Sequence, residues 1–206
     1  MKKVLFFLLL VMVGLVGYGQ VDLDNGLVAY YPFDGDAVDE SGKGNDGIIY
    51  GAVLAADRCG RPAGALAFDG INDYLDCGYH TLLDISGTGS QWSVSFWLKF
   101  TDPRGTYFIY KNDNISRGWD VGVDNGAIIC RMQSLDMYQT NSFNYSTFST
   151  FNDGLWHFVY VSFNAGAQSE ADAFRVNVDM MFQPIQRVAG WYAPGQDYNN
   201  TGSLLC

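Results

Sequence analysis

Glutamate is nearly missing from this sequence: Glu40 and Glu170 are the only two among 22 acidic residues, and the rest are aspartates. Glutamate favours helices and aspartate favours turns, so the imbalance excludes an all-α chain. Basic residues are scarce as well, 12 in all, leaving a net charge of −10. Phosphate backbones need a basic face, which rules out nucleic acid as a partner. Only two histidines occur, with no C-x-x-C pair and no G-x-S-x-G elbow. Zinc centres of the usual spacing and serine hydrolases are thereby excluded. His157 stands in DGLWHFVYV with no evident partner nucleophile, and reads as a strand residue rather than a general base. Internal repeats are absent.

The longest apolar run lies at the start. Lys2 and Lys3 precede an apolar stretch from Val4 to Val16, followed by Gly17 and Gly19. The run is shorter than the roughly 20 residues that cross a bilayer, and the pattern is that of a secretory signal peptide over residues 1–19. Residues 20–206 then form the mature domain, secreted or at the cell surface, with no membrane span left after cleavage. Export makes disulfides permissible. Four cysteines, Cys59, Cys77, Cys130 and Cys206, allow two bridges in three connectivities. Cys59 and Cys77 bracket a turn and two strands, and are the favoured pair.

What the sequence does have is glycine (24), phenylalanine (14) and tyrosine (13), set in short apolar runs between turn residues. Strands are expected in GLVAYYPF from Gly26, GIIYGAV from Gly47, GALAFDG from Gly64, DYLDCG from Asp73 and QWSVSFWLKF from Gln91. Others follow in TYFIYK from Thr106, WDVGV from Trp119, AIICRMQ from Ala127, LWHFVYVSF from Leu155 and FRVNVDMMF from Phe174. About ten strands in one chain predict a single all-β sandwich. In QWSVSFWLKF, Trp92, Val94, Phe96 and Leu98 alternate with Ser93, Ser95, Trp97 and Lys99, giving one dry and one wet face. Trp97 falls on the wet side, either as a ligand platform or packed under a loop. FDGINDY reads as a hairpin turn, Gln168 to Phe174 as a loop, and TNSFNYSTFSTF from Thr140 as a polar stretch with interleaved aromatics.

The segment from LVAYYPFDG through DRCGRPAGALAFDG to NDY, with SVSFWLKF and DGLWHFVYVSF further on, resembles the laminin-G-like domains of the concanavalin A-like superfamily. The resemblance implies a jelly roll of two antiparallel sheets and a non-enzymatic role. It also implies a closing strand beyond SLLC, so the chain reads as truncated at Cys206. Retaining glucanases of that superfamily carry E-x-D-x-x-E or E-x-D-x-E, whose two carboxylates lie about 5 Å apart. Here Glu170 and Asp172 are followed by Phe174 and Arg175, and the second glutamate is missing.

Two kinds of site are expected. The loop FDGDAVDESGKGND gathers hard oxygens suited to calcium, with Asp34, Asp39 and Asn45 as ligands; the alternative is that Asp39 and Ser41 only cap turns. Relatives in the resembled family hold calcium at such a loop. Flat aromatic faces suit sugars, whose C–H faces stack while their hydroxyls find polar partners. Trp191 and Tyr192 in AGWYAPG are expected ligand-binding residues, with Tyr145 and its neighbours Phe143 and Phe148. The sequence therefore reads as a secreted, non-catalytic module binding a glycan. A protein-adhesion or spacer role, or a targeting domain detached from a glycoside hydrolase, stands beside it. The partner is a glycan or a surface protein.

Overall fold

The computed structural model describes residues 22, 24–79, 91–112, 118–134, 141–164, 166–167, 173–190 and 204–205. Among them fourteen strands form, and every pairing is antiparallel. β10 (His157–Asn164) shows how the sequence builds them. Its residues alternate strictly between buried and half-buried, as a pleat with one dry face requires. It pairs with β5 (Gln91–Leu98) on one side and β11 (Phe174–Val178) on the other. β12 (Met181–Gln183) completes a four-stranded sheet in the order β12-β11-β10-β5.

The opposing sheet has eight strands. In chain order they are β1 (Ile48–Tyr50), β4 (Tyr74–Asp76), β6 (Thr106–Asn112), β7 (Gly118–Asp124), β8 (Ala127–Ser134), β9 (Asn141–Thr150), β13 (Ile185–Gly190) and β14 (Leu204–Leu205). Their spatial order is β1-β4-β14-β6-β7-β8-β9-β13. A separate hairpin joins β2 (Val53–Ala55) to β3 (Ala65–Ala67). The core lies between the two main sheets. Val159, Val161, Phe163, Phe174 and Val176 of the smaller sheet meet Trp119, Val121, Ile128, Cys130, Met132 and Tyr145 of the larger. The expected all-β sandwich is thus the fold.

Several local expectations change. GLVAYYPF forms no strand, because side chains of the following loop occupy its backbone. Asp39 Oδ1 accepts the Tyr30 N–H at 2.9 Å, and the Val28 carbonyl accepts from Asn45 Nδ2 at 2.8 Å. FDGINDY is a turn but not a hairpin, since β3 pairs with β2 and β4 with β1. The polar stretch from Thr140 is a full strand, β9, wedged between β8 and β13. FRVNVDMMF breaks into β11 and β12 at Asp179 and Met180, both with positive φ, as a tight hairpin turn requires.

Candidate functional site

Strand register fixes what the wet face of the four-stranded sheet displays. Trp97 stands opposite Phe158, Ser95 opposite Tyr160, and Ser93 opposite Ser162. On the next strand Tyr160 faces Asn177 and Ser162 faces Arg175, while Asn177 faces Phe182 of β12. Cross-strand neighbours on one face lie within side-chain reach. The result is an aromatic group, Trp97, Phe158 and Tyr160, bordered by rows of hydroxyl, amide and guanidinium groups. Trp97 is 44% exposed and tilts against Phe158 at 5.4 Å between ring centroids. Arg58, from the β2–β3 turn, lies over the Trp97 ring at 4.5 Å. That cation–π contact holds the indole in place while leaving much of it open to solvent.

A cleft of about 2470 Å³ wraps around β5, from this face to the inner one, with Tyr30, Trp92, Trp97, Phe108, Trp119 and Tyr160 among its walls. β5 is an edge strand among the described residues, and its inward side chains Trp92, Val94, Phe96 and Leu98 are only half-buried. Trp92 stacks on Trp119 at 4.4 Å. The indole N–H of each is buried without a hydrogen-bond partner, which is uncommon for buried tryptophan.

Each of the residues expected for calcium has partners within the protein. Asp39 is a hydrogen-bond hub: Oδ1 accepts the N–H groups of Tyr30 and Ser41, both at 2.9 Å. Its Oδ2 accepts the Ser41 hydroxyl at 2.8 Å and the Asn45 N–H at 3.0 Å. Burial pushes its pKa up, but these four bonds outweigh that and hold it below the usual 3.8. Asp34 pairs with Arg61 at 3.1 Å. Only Asn45 Oδ1, buried and without a partner, is an uncommitted oxygen among the buried atoms of the three. No group of three or more His, Cys, Asp or Glu side chains among the described residues is placed to hold a metal ion. Asp39 and Ser41 cap the loop.

Tyr145 is a core residue, 4% exposed, with its ring 5.5 Å from that of Phe174; burial removes it from any ligand surface. Phe148, three residues on, is exposed. Trp191 and Tyr192 lie outside the described residues, as do residues 1–19, where a leader is expected, and the segment 168–172. The disulfide expected between Cys59 and Cys77 does not form: Cys59 is a free thiol exposed in the β2–β3 turn, and Cys77 is buried just after β4.

His157 is structural, and how it is held was not legible in the sequence. At 9% exposed, it bonds Asp179 through Nδ1 at 2.8 Å and Asp153 through Nε2 at 3.0 Å. Burial pulls its pKa down, but bonds to the two carboxylates raise it above 6.5 overall. Asp179 also accepts the Phe158 N–H at 2.9 Å, so the cluster ties the approach to β10 to the β11–β12 turn. No nucleophile joins it.

A family model described as Clostridium neurotoxin, N-terminal receptor binding, matches residues 34–182. Solved structures agree on the fold. The receptor-binding domain of botulinum neurotoxin C/D mosaic serotype is similar with TM-score 0.63 and 13% identity, over 89% of this chain and 43% of that one. The receptor-binding domain of botulinum neurotoxin D gives 0.53 and 15%, over 82% and 40%. A structure of botulinum neurotoxin type C, whose cell entry is dependent upon interaction with two ganglioside molecules, gives 0.54 and 11%, over 87% and 45%. The chain thus spans less than half the length of these solved chains. No curated protein matches the sequence. These findings overturn the laminin-G-like resemblance. Its marks are local: Asp153 and Gly154 form a turn, Asp39 and Ser41 cap a loop, and β5 and β10 alternate as any half-buried strand does.

Proposed function

The chain belongs to the Clostridium neurotoxin N-terminal receptor-binding family, and from that premise we propose that it is a non-catalytic module binding a surface glycan on the wet face of its four-stranded sheet. The observation that carries this reading is Trp97, an open indole set by Arg58 and bordered by Phe158, Tyr160 and Ser95. A sugar ring has an apolar C–H face and a polar rim. Stacked on Trp97, it would place its hydroxyls toward Ser95, and further rings of a longer glycan would run along the sheet toward Asn177 and Arg175. A role for surface glycolipids in a similar protein, botulinum neurotoxin type C, points the same way. The His157 cluster holds no nucleophile among the described residues, and Glu170 lacks the second glutamate of the retaining-glucanase pattern, which supports binding without turnover.

Binding of the mature protein to a glycan array, read beside Trp97→Ala, tests the proposal. Aromatic stacking on an open indole is of order 1 kcal/mol, so the variant should bind its best glycan about fivefold more weakly, with its melting temperature little changed. Undiminished binding by the variant removes the sheet face from the site.

A further inference from the structure

The dry face of the smaller sheet runs one strand further than its cover. Across the β5–β10 pair, Phe163 stands opposite Trp92, Val161 opposite Val94 and Val159 opposite Phe96. The β10 members are at most 2% exposed, whereas the β5 members are only half-buried. Among the described residues no strand pairs with the outer edge of β5. That edge runs for about 26 Å along eight residues. Charge, proline and bulges, the devices that block an edge, are absent from it. The cleft beside it is a slot, lined by every residue over 91–102 and every residue over 25–34. Side chains of a strand alternate, so an unbroken run of lining residues means that the main chain of β5 itself faces the slot. Trp92 and Trp119 line it too, each with a buried indole N–H that lacks an acceptor.

We propose that this slot takes an extended, basic segment of a partner protein as an added strand. Its main chain would bond the edge of β5, and its alternate apolar side chains would enter between the sheets and cover Trp92, Val94, Phe96 and Leu98. An alkyl chain could fill the space but would bring no acceptor to the indoles and no donor or acceptor to β5; a polypeptide brings both. The lining holds six carboxylates to four cations, in a protein of net charge −10. That balance selects a basic occupant and disfavours a second copy of this chain. The added strand would use the edge and the inward side chains of β5, leaving the Trp97 face to a glycan.

The test is titration of the mature protein with a capped peptide of four Lys-Val repeats, followed by hydrogen exchange. Every second amide of β5 should exchange about tenfold or more slowly once the peptide is bound. The Glu-Val analogue should bind about tenfold more weakly. Peptides N-methylated at the lysine amides alone or the valine amides alone separate strand pairing from apolar filling, because at least one of the two should lose about tenfold in affinity. Several results overturn the proposal: no binding, full affinity in both methylated peptides, or equal binding by the Glu-Val analogue. Equal binding by an isomer with its lysines and valines in two blocks does so as well, since charge alone would then explain the affinity. So does a dimer, seen in sedimentation without peptide, in which the β5 amides are already protected, for the occupant is then a second copy.

Discussion

His157 shows how much a single residue can hold. Its two carboxylate partners come from different loops, Asp153 before β10 and Asp179 in the β11–β12 turn. Its folded pKa lies above 6.5, so the stability it contributes is complete below that value and is lost as pH rises through the folded pKa. For Asp153, the Leu155 N–H and then His157 lower the pKa; for Asp179, the bond from His157 and others outweigh burial. Both fall below 3.8, so their share is present above that value and is lost as acid reaches the lowered ones. The cluster therefore acts fully between the two limits. The melting-temperature gap between wild type and His157→Gln should be wide at about pH 5.5 and narrow at about pH 9. A gap that stays constant across that range would show that the ring acts by packing alone. The sequence placed His157 at the start of a strand and as a structural residue, but Asp179 is 22 positions away, and such a partner is found only by folding the chain.

Among the elements, the large sheet depends on one glycine. A Cβ on Gly122 would lie 2.3 Å from the Thr106 carbonyl oxygen, where β6 crosses close to β7 and its register shifts between Tyr107 and Ile109. Gly122→Val should force the strands apart and destabilise the fold by about 3 kcal/mol, seen as a lower urea midpoint at unchanged slope. A midpoint equal to wild type would mean the strands part there without strain. Elements whose signal is local were legible: β5 from alternation, and β7, β8 and β10 from short apolar runs between turn residues. β9 was not, because its inward residues are punctuated by serine and threonine, and Thr147 buries its hydroxyl by bonding the Ser149 carbonyl. GLVAYYPF misled in the other direction. Its composition suits a strand, yet Asp39 and Asn45 take the backbone bonds a neighbouring strand would have made.

At the scale of the molecule, two sheets turn a wet face outward, and each has a different chemistry. The smaller displays Trp97 with Arg58 above it; the larger displays Arg131 over Tyr107. Trp97 was visible in the sequence as the residue that breaks an otherwise serine-lined face. The Arg131 group was not, since Tyr107, Asp120, Arg131 and Asn144 are joined only by strand register. Tyr145 fell to the core for the same reason: an aromatic in a polar stretch does not announce which face it takes.

The central claim is that Trp97 and its neighbours form a glycan platform. It is tested most directly by titrating isotope-labelled protein with the oligosaccharide selected on the array and mapping the perturbed resonances. The account predicts that the Trp97 indole N–H, Ser95, Tyr160 and Asn177 shift together and saturably. Saturable shifts that leave those four unmoved would contradict it.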